Sequence, residues 1–508
     1  MRRHPHLFEA NARIFLERLS RKHNSRLTLS TVPEEEWEKI RERGFDLIWL
    51  MGAWQRSPGA AQVALRHEAL RRHFPEALPD LSDKDIEGSP YAVYSYMLDP
   101  ALGRHEELLE LKKRLNYLGM KLIVDFVPNH VALDHPWTLS HPEWFVRPKS
   151  EALGEHPDWF FKTRHGIDLA HGRDPYFPPW TDSAQLNYFS AELRQVMIQE
   201  LGHISKLADG VRCDMAMLAM NAVFDRVWSP FAANAAPVQS EFWTQAIRRI
   251  KEENASFLFL AEAYWGLEWP LHELGFDYAY DKPFYDHLLS GDVAGIRTHL
   301  EAAPAFQEQC MRFIENHDEQ RAVKAFGPKK SMAAAVMVAT LPGLRFFHDG
   351  QAEGKKKRLP VQLVREPAEK PDVETMVFYR ELWDCVNTPC FHQGQWASLE
   401  VMDPAFGGIS KSILAWVWIL GEEGRLVAVN YSEHPAKGRI ELQRLAEGRT
   451  ASGMSLQFSA GEAHADGGNF SGSAGVNMGA WSACIARIGV TVPQSVPSSE
   501  PSALSKPV

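Results

Sequence analysis

Four acidic residues each follow a short apolar run, and this placement is typical of an active site. Asp214 ends one run, and Arg212 precedes it by two residues. Because residues two apart lie on one face of a strand, this guanidinium and this carboxylate are expected to point the same way. Asp125, Glu262 and Asp318 end similar runs. Four such acids can meet only if their strands lie side by side, so the sequence predicts a gathered carboxylate site.

Gathered carboxylates suit the cleavage of a glycosidic bond. That reaction needs a nucleophile or base and an acid that protonates the leaving oxygen. An arginine beside a carboxylate favours the ionised form that a nucleophile requires. His130 follows Asp125 by five residues, and His317 directly precedes Asp318. Both imidazoles can donate hydrogen bonds to sugar hydroxyls. For Asp125 alone, a helix cap or a surface charge is the more ordinary interpretation.

Strand-like runs alternate with amphipathic helices up to about residue 388. Helices are predicted from Pro33 to Gly44 and around residues 105–118. The alternation predicts an α/β fold, a (β/α)8 TIM barrel, with an open doubly wound sheet as the alternative. In such a barrel the active site lies at the carboxyl ends of the strands, where all four acids fall. The predicted strands are 12–16, 45–50, 121–125, 211–214, 257–262, 276–280, 311–315 and 343–347.

Two further regions interrupt or follow the barrel. Residues 132–187 are rich in Trp, Pro, His and Asp and predict an irregular domain inserted after strand 3. The barrel would then comprise residues 1–131 and 188–388. Period-2 runs in residues 389–489 predict a C-terminal antiparallel β-sandwich domain. The Ser- and Pro-rich residues 490–508 are expected to form a disordered tail.

Composition narrows the class of protein. A net charge of −10 over 508 residues disfavours nucleic acid as a partner. The first thirty residues contain no continuous apolar run, so we expect no signal peptide. No apolar run of the chain is long enough for a membrane span, so we expect no membrane partner. Five scattered cysteines do not form a disulfide framework, which favours a reduced, cytoplasmic protein. The oligomeric state stays open.

Four segments resemble a known family. The stretch from Asp125 to His130 resembles the first conserved segment of the α-amylase family, glycoside hydrolase family 13. Residues 210–214 resemble the second, Glu262 after its apolar run the third, and residues 315–318 the fourth. Their order and spacing also match, and the resemblance extends over the barrel, the insertion and the C-terminal domain.

The resemblance implies a retaining double displacement without an organic cofactor. Asp214 would be the nucleophile, Glu262 the general acid and base, and Asp318 the residue that grips the sugar in subsite −1. Glu315 competes with Asp318 for this role, but it lies three residues earlier, where the opposite face of the strand is expected. The substrate-binding residues implied are Tyr91, which would stack under that sugar, Asp125, His130, Arg212 and His317.

Some positions depart from the family pattern. Ala92 stands where oligo-glucosidases of the family carry an aspartate, which favours a site open on both sides. Met215, Ala216 and Met217 follow the nucleophile, and a small apolar acceptor side would favour transfer over hydrolysis. Methionines after a strand are, however, more often core residues.

Calcium-dependent members use an asparagine of the first segment, an acid late in the insertion and a histidine four residues after the nucleophile. Asn129 matches, but Gln185 and Leu218 stand at the other two positions. Because calcium prefers several oxygen ligands including carboxylates, we expect no metal site here, and Asn129 would be a ligand only if one existed.

Two other features are open to a functional interpretation. Trp54, Trp137 and Trp180 lie in predicted rim loops and are candidate sugar platforms. The basic run Lys355, Lys356, Lys357 and Arg358 follows the eighth strand, where barrels often bind phosphate. A solvated loop is the simpler interpretation of that run.

The sequence therefore predicts a retaining α-glycosidase whose partner is an α-1,4-linked glucan or a maltooligosaccharide. One alternative is a glycosyltransferring member of the family: a 4-α-glucanotransferase, a maltosyltransferase or a trehalose-forming isomerase. An alternative of another class is an inactive amylase-like carbohydrate-binding protein. Such proteins lose at least one of the three acids, and all three are present here.

Overall fold

The computed structural model describes residues 1–442, 450–465 and 473–491. The chain divides into two compact units, Met1–Asn387 and Thr388–Val508. The bounds predicted for the inserted segment and the tail stay predictions. Residues 490 and 491 belong to a strand, and the rest of the predicted tail lies outside the described residues.

Eight parallel strands close into a barrel in the first unit. Each strand is hydrogen-bonded to the barrel strands that precede and follow it along the chain, and the first strand pairs with the last. This closure confirms the predicted TIM barrel over an open sheet. The strands are β1 His6–Asn11, β2 Leu47–Met51, β3 Lys121–Phe126, β4 Gly210–Cys213, β5 Leu258–Ala261, β6 Tyr278–Tyr280, β7 Cys310–Arg312 and β8 Leu344–His348.

Strand register aligns the carboxyl ends around β4. Arg212 pairs with Asp125 on β3, and Cys213 pairs with Ala261 on β5. The residues that follow these strands, Asp214 and Glu262, therefore leave the barrel side by side. β2 and β5 are buried along their whole length, which explains why their sequences are continuous apolar runs instead of alternating ones.

The predicted strand at residues 12–16 is wrong, because these residues begin the helix Ala12–Lys22. The Asn11 side chain accepts hydrogen bonds from the amides of Arg13 and Ile14 and so caps the helix. The first barrel strand lies just upstream, at His6–Asn11. A short apolar run such as residues 14–16 fits a strand or a buried helical turn, and the cap decides for the helix.

The predicted helices after Pro33 and around residues 105–118 are confirmed as Glu34–Glu42 and His105–Tyr117. The other helices of the first unit are Pro58–Arg66, Glu68–Ala77, Trp137–Ser140, Ser150–Glu155, Ala191–Leu207, Asn221–Trp228, Phe242–Glu253, Glu268–Glu273, Lys282–Ser290, Val293–Leu300, Pro304–Gln309, Ala322–Phe326, Pro328–Thr340 and Val373–Val386, with 3-10 turns at Asp83–Asp85, Pro142–Trp144, Pro157–Trp159 and Ala216–Ala219.

The segment between β3 and β4 holds only short elements before the long helix Ala191–Leu207. Two two-stranded ribbons organise it, His130–Ala132 with Ser183–Gln185 and Phe160–Lys162 with Asp168–Ala170. A third ribbon, Trp54–Arg56 with Val93–Leu98, follows β2. These ribbons build the rim above the carboxyl ends of the barrel strands.

The second unit consists of two antiparallel sheets on a shared apolar core, which confirms the predicted C-terminal sandwich. Over the described residues of this unit, one sheet has five strands and the other has four. A short helix, Pro389–Gln393, opens the unit. The strands are Gln395–Leu399, Val401–Met402, Ile413–Leu420, Glu423–Asn430, Ala436–Glu441, Thr450–Ala460, Ala463–Ala465, Ser473–Met478 and Ser482–Thr491.

The five cysteines all lie within the described residues and form no disulfide there. Within the described ranges, no helix combines the length and the apolar character needed to cross a bilayer.

We expect Gly343→Ala to lower the stability of the barrel. Gly343 has a φ of +88°, and an added Cβ would lie 2.2 Å from the backbone oxygen of Cys310. The expected loss is about 2 kcal/mol or more. In the matched control Gly202→Ala, the added methyl group meets nothing within 4 Å inside a helix. That change should stabilise the protein by about 0.5–1 kcal/mol. Urea unfolding measures both, and equal midpoints would contradict the prediction.

Candidate active site

A cavity of about 800 Å³ opens at the carboxyl ends of the barrel strands. The structure brings the three predicted catalytic acids, Asp214, Glu262 and Asp318, together on its wall. Of the predicted substrate-binding residues, Tyr91 and His130 line the same cavity. Tyr91 and Asp318 lie 227 positions apart in the sequence, and they meet here because each belongs to a loop of one closed barrel.

Arg212 joins two of these acids from behind the wall. Its Nη1 lies 2.7 Å from Oδ1 of Asp214, and its Nη2 lies 2.9 Å from Oε2 of Glu262. The guanidinium is fully buried among the rings of Trp49, Tyr91 and Tyr280. One cation thus holds both carboxylates in fixed positions, and the predicted pairing of Arg212 with Asp214 is present.

The loop after β5 completes the surroundings of Glu262. Oε2 accepts a hydrogen bond from the backbone amide of Met215 at 2.6 Å, and Oε1 accepts one from the hydroxyl of Tyr264 at 2.9 Å. Met215 has a φ of +42°, a conformation that costs energy for a non-glycine residue. This backbone turn directs the amide of Met215 at Glu262.

Burial sets the protonation of the two acids. It raises the pKa of Glu262 to about 7, although Arg212 works in the opposite direction. Burial also raises the pKa of Asp214, and Arg212 counteracts this through its charge and its hydrogen bond. The Glu262 carboxyl is therefore suited to hold a proton near neutral pH.

Asp318 is exposed and lies beside a histidine, in contrast to the buried Asp214 and Glu262. Its side chain is 44% exposed to the cavity. Oδ2 lies 3.0 Å from Nε2 of His317, whose second neighbour is the hydroxyl of Tyr91 at 2.7 Å. Desolvation would raise the pKa of Asp318, but the charge and the hydrogen bond of His317 outweigh it and hold this pKa far below its ordinary value. Asp318 is therefore an ionised group that faces the cavity.

Three predicted substrate-binding residues, Arg212, Asp125 and His317, lie behind the cavity wall. Asp125 is 1% exposed and accepts hydrogen bonds from the backbone amide of Gly52 at 2.7 Å and from the indole of Trp49 at 3.1 Å. Burial raises its pKa to about 6. Asp125 ties the end of β2 to β3 beneath the site.

His130 lies on the wall of the cavity itself. Burial lowers the pKa of His130 to about 4, so this imidazole is neutral at neutral pH.

Asn129 and Gln185, which stand at two of the family's calcium-ligand positions, are hydrogen-bonded to each other through their side-chain amides. Gln185 donates from Nε2 to Oδ1 of Asn129 at 3.0 Å and to the backbone oxygens of Asn129 and Leu186. Asn129 donates to Oε1 of Gln185 at 3.2 Å. Both residues are buried. Every oxygen in this group that could hold a cation instead accepts an amide hydrogen, and the donor set does not fit a calcium ion. Leu218 is a buried apolar residue.

Several predicted positions lie elsewhere. The prediction of Trp54 as a sugar platform is wrong, because Trp54 is 1% exposed and its indole donates to the backbone oxygen of Asp125. Trp137 packs against His135 and Trp144, whereas Trp180 lines the cavity. Glu315 is buried, 2.9 Å from Arg321. The preference for Asp318 over Glu315 therefore agrees with their positions.

Of the three residues that were expected to form an apolar acceptor side, Met215 lines the cavity, whereas Ala216 and Met217 are fully buried. Ala92 also lines the cavity.

Sequence reasoning missed part of the wall. Asp174, Asp182, Tyr264 and Trp265 line the cavity, and burial raises the pKa of Asp182 to about 6. For Tyr264 the only signal was its position two residues after Glu262, which is compatible with many roles. Glu9 contacts His317 from β1 and was missed because the first strand was placed too late in the chain.

The basic run after β8 is only partly free. Lys355 is 2.6 Å from Glu366, and the backbone amide of Lys356 donates to Glu369. Arg358 lines the catalytic cavity and acts electrostatically on Asp318. Glu366 pairs with the side chain of Lys355 and also with Arg18. Phosphate binding by this run stays a prediction.

The chain is similar to known proteins over its barrel. The family model described as "Alpha amylase, catalytic domain" matches residues 83–377. An alpha-amylase, MalA, from Haloarcula japonica is 28% identical over 249 residues, which cover 47% of this chain and 32% of that protein. An alpha-1,4-glucan:maltose-1-phosphate maltosyltransferase from Bifidobacterium longum is 24% identical over 234 residues, which cover 45% of this chain and 25% of that protein. The chain spans about a third or less of the length of these two curated relatives.

Among solved structures, a noncanonic maltogenic alpha-amylase, AmyB, from Thermotoga neapolitana superposes with a TM-score of 0.67 at 19% identity. The match covers 96% of this chain and 99% of that one. At this identity the likeness shows a shared fold, a barrel followed by an antiparallel sheet domain.

We expect Glu262 to release its proton as the pH rises through about 7. The carboxyl stretch in the infrared difference between wild type and Glu262→Gln should disappear over that range. The difference spectrum removes the contributions of Asp125 and Asp182. Titration near the ordinary glutamate value of about 4.3 would contradict this expectation.

Proposed function

The chain belongs to the α-amylase family, whose members are hydrolases or transglycosylases, and on this premise we propose that it cleaves α-1,4-linked glucans or maltooligosaccharides with retention of configuration. The observation that carries the proposal is the single guanidinium of Arg212 held between the carboxylates of Asp214 and Glu262. A short separation of the two carboxyl groups, about 5–5.5 Å, is what a retaining mechanism needs.

In the first step, Asp214 attacks the anomeric carbon of the sugar in subsite −1. Glu262 gives its proton to the glycosidic oxygen, and that bond breaks as the glycosyl ester of Asp214 forms. In the second step, the Glu262 carboxylate takes a proton from water or from a sugar hydroxyl. That oxygen then displaces Asp214, and two inversions retain the configuration. The pKa of Glu262, about 7, suits a group that first donates a proton and then accepts one.

The remaining wall residues hold the sugar. Asp318 is ionised and accepts hydrogen bonds from sugar hydroxyls, and His130 donates to them. The ring of Tyr91 provides an apolar face for the pyranose. Arg212 and His317 act from behind the wall, because their positions leave Asp214, Glu262 and Asp318 between them and the substrate.

A second candidate function, transfer of the glycosyl group to another sugar, is favoured by the aromatic side of the cavity. Tyr264, Trp265 and Trp180 line it, and Tyr176 packs against Trp265 with ring centroids 5.2 Å apart. Aromatic rings that bind an acceptor sugar displace the water that hydrolysis requires. Relatives named as maltosyltransferases agree with this candidate.

Product analysis with maltoheptaose tests both candidates. Hydrolysis yields glucose and maltose alone, whereas transfer yields longer or rearranged chains. We expect Asp214→Asn and Glu262→Gln each to lower kcat by about a thousandfold or more, because each removes a group that bonds to a reacting atom. Proton NMR of the first product should show the α-anomer.

The matched control is Asp225→Asn, an exposed acid on the helix Asn221–Trp228, which should keep the wild-type kcat. If wild type and Asp214→Asn are equally inert on α-glucans, sucrose, trehalose and maltose phosphate, the chain is a carbohydrate-binding protein instead. A product of inverted configuration would also end the proposal. Runs with added phosphate test whether Lys355 to Arg358 bind it.

We further propose that the fold and the activity need no calcium, since the amide pair of Asn129 and Gln185 links the insertion to the barrel through neutral hydrogen bonds. EDTA should leave both the Tm and kcat of the wild type unchanged. Gln185→Glu removes the amide hydrogens and supplies a carboxylate, so its Tm in EDTA should fall. A wild type whose Tm falls in EDTA and recovers with calcium would contradict the proposal.

A further inference from the structure

Glu9 lies on β1 inside the barrel, and its side chain is fully buried. Backbone pairing places it between Trp49 on β2 and His348 on β8, so both neighbouring strands fix its position. A buried carboxylate costs several kcal/mol unless a cation or several hydrogen bonds compensate it. Its hydrogen-bond partner is Nδ1 of His317, 2.5 Å from Oε1.

His317 therefore lies between two carboxylates. Nδ1 faces Glu9, and Nε2 faces Oδ2 of Asp318 at 3.0 Å and the hydroxyl of Tyr91 at 2.7 Å. The imidazole ring stacks on Tyr91, with centroids 5.4 Å apart, and its edge packs against Trp49. Because packing prevents the ring from turning, its two nitrogens keep these partners.

An imidazole donates from both nitrogens only when it carries two protons. If His317 were neutral with its proton on Nδ1, a lone pair of Nε2 would face the carboxylate of Asp318, and the two would repel. If the proton were on Nε2, a lone pair would face Glu9 instead. The observed geometry satisfies both carboxylates only with the imidazolium form.

The charged and titratable groups around His317 lie on β1, on β3, on β8 and on the adjacent residue Asp318. Burial lowers the pKa of His317, but the charges of Asp318 and Glu9 outweigh it and raise the pKa well above the ordinary value. Asp125 on β3 carries a pKa of about 6 and interacts with His317 electrostatically. On β8, Nε2 of His348 lies 3.9 Å from Oε2 of Glu9.

Tyr91 is neutral, because burial raises the pKa of its phenol well above 10.0. The phenol therefore adds no charge to the pair of His317 and Asp318.

We propose that Glu9 is a positioning residue, which keeps His317 doubly protonated and thereby fixes the orientation and the charge of Asp318. This inference rests on the proposed function, in which Asp318 holds the donor sugar. Glu9 itself does not line the cavity and touches no reacting atom. Its effect reaches the substrate through two contacts, first to His317 and then to Asp318.

The test is Glu9→Gln, which keeps the size of the side chain and removes its charge. Oε2 of Glu9 accepts no hydrogen bond among the described residues, so the change breaks none at that atom. At about pH 8, kcat on maltoheptaose should fall tenfold or more. Each unit by which the pKa of His317 falls below the pH lowers its doubly protonated fraction about tenfold. The loss should be smaller at acid pH, where His317 regains its second proton, and KM should change little.

Two variants serve as controls. Glu9→Asp keeps the charge and should retain the wild-type pH profile, which would separate the effect of charge from that of packing. Glu107→Gln alters a buried glutamate that caps the helix His105–Tyr117, and it should leave the pH profile unchanged. A pH profile of Glu9→Gln identical to that of the wild type would overturn the inference.

The protonation of His317 can also be measured without substrate. In protein labelled with 15N-histidine, the signal lost in His317→Gln identifies the residue. In the wild type and in Glu9→Asp, the His317 ring should still carry both protons at a pH above about 8. In Glu9→Gln, it should have lost one of them at that pH. An unchanged titration in Glu9→Gln would refute the inference even in an active enzyme. An inert wild type with the expected titrations would refute only the proposed function.

Discussion

The placement of one buried cation, Arg212, is the constraint on which the rest of the site depends. Its guanidinium is shut off from water and compensated by the carboxylates of Asp214 and Glu262. Removing either acid would leave this buried charge with one of its two partners, which is costly. The two acids are thereby tied to each other and to β4. The strand register around β4 therefore sets the catalytic geometry as well as the fold.

The acids of the cavity differ because their neighbours differ. Burial dominates for Glu262 and raises its pKa, whereas His317 dominates for Asp318 and lowers its pKa. Carboxyl groups whose pKa values are driven apart can take different roles in one reaction. In the proposed function, the same functional group thus serves both as a proton donor and as an ionised sugar ligand in one cavity.

The rim carries the features that vary on such a barrel. The insertion is attached through the neutral amide pair of Asn129 and Gln185, and the loop after β5 presents Tyr264 and Trp265 to the cavity. A barrel supports many chemistries through its loops, since the strands hold the reacting groups and the loops shape what enters. In the proposed function, the choice between water and a second sugar is made at this rim.

The sequence by itself determined the barrel, the C-terminal sandwich and the three acids, because these depend on local patterns. An apolar run that ends in an acid is visible in a handful of residues. The segment at residues 12–16 was misread because its apolar run fits two structures and only the cap at Asn11 separates them. Tertiary structure alone decided that Arg212, Asp125 and His317 stand behind the wall, and that Glu9 meets a histidine 308 residues away. Such contacts arise when the first strand closes the barrel against the last, and no local pattern encodes which side chains then face each other.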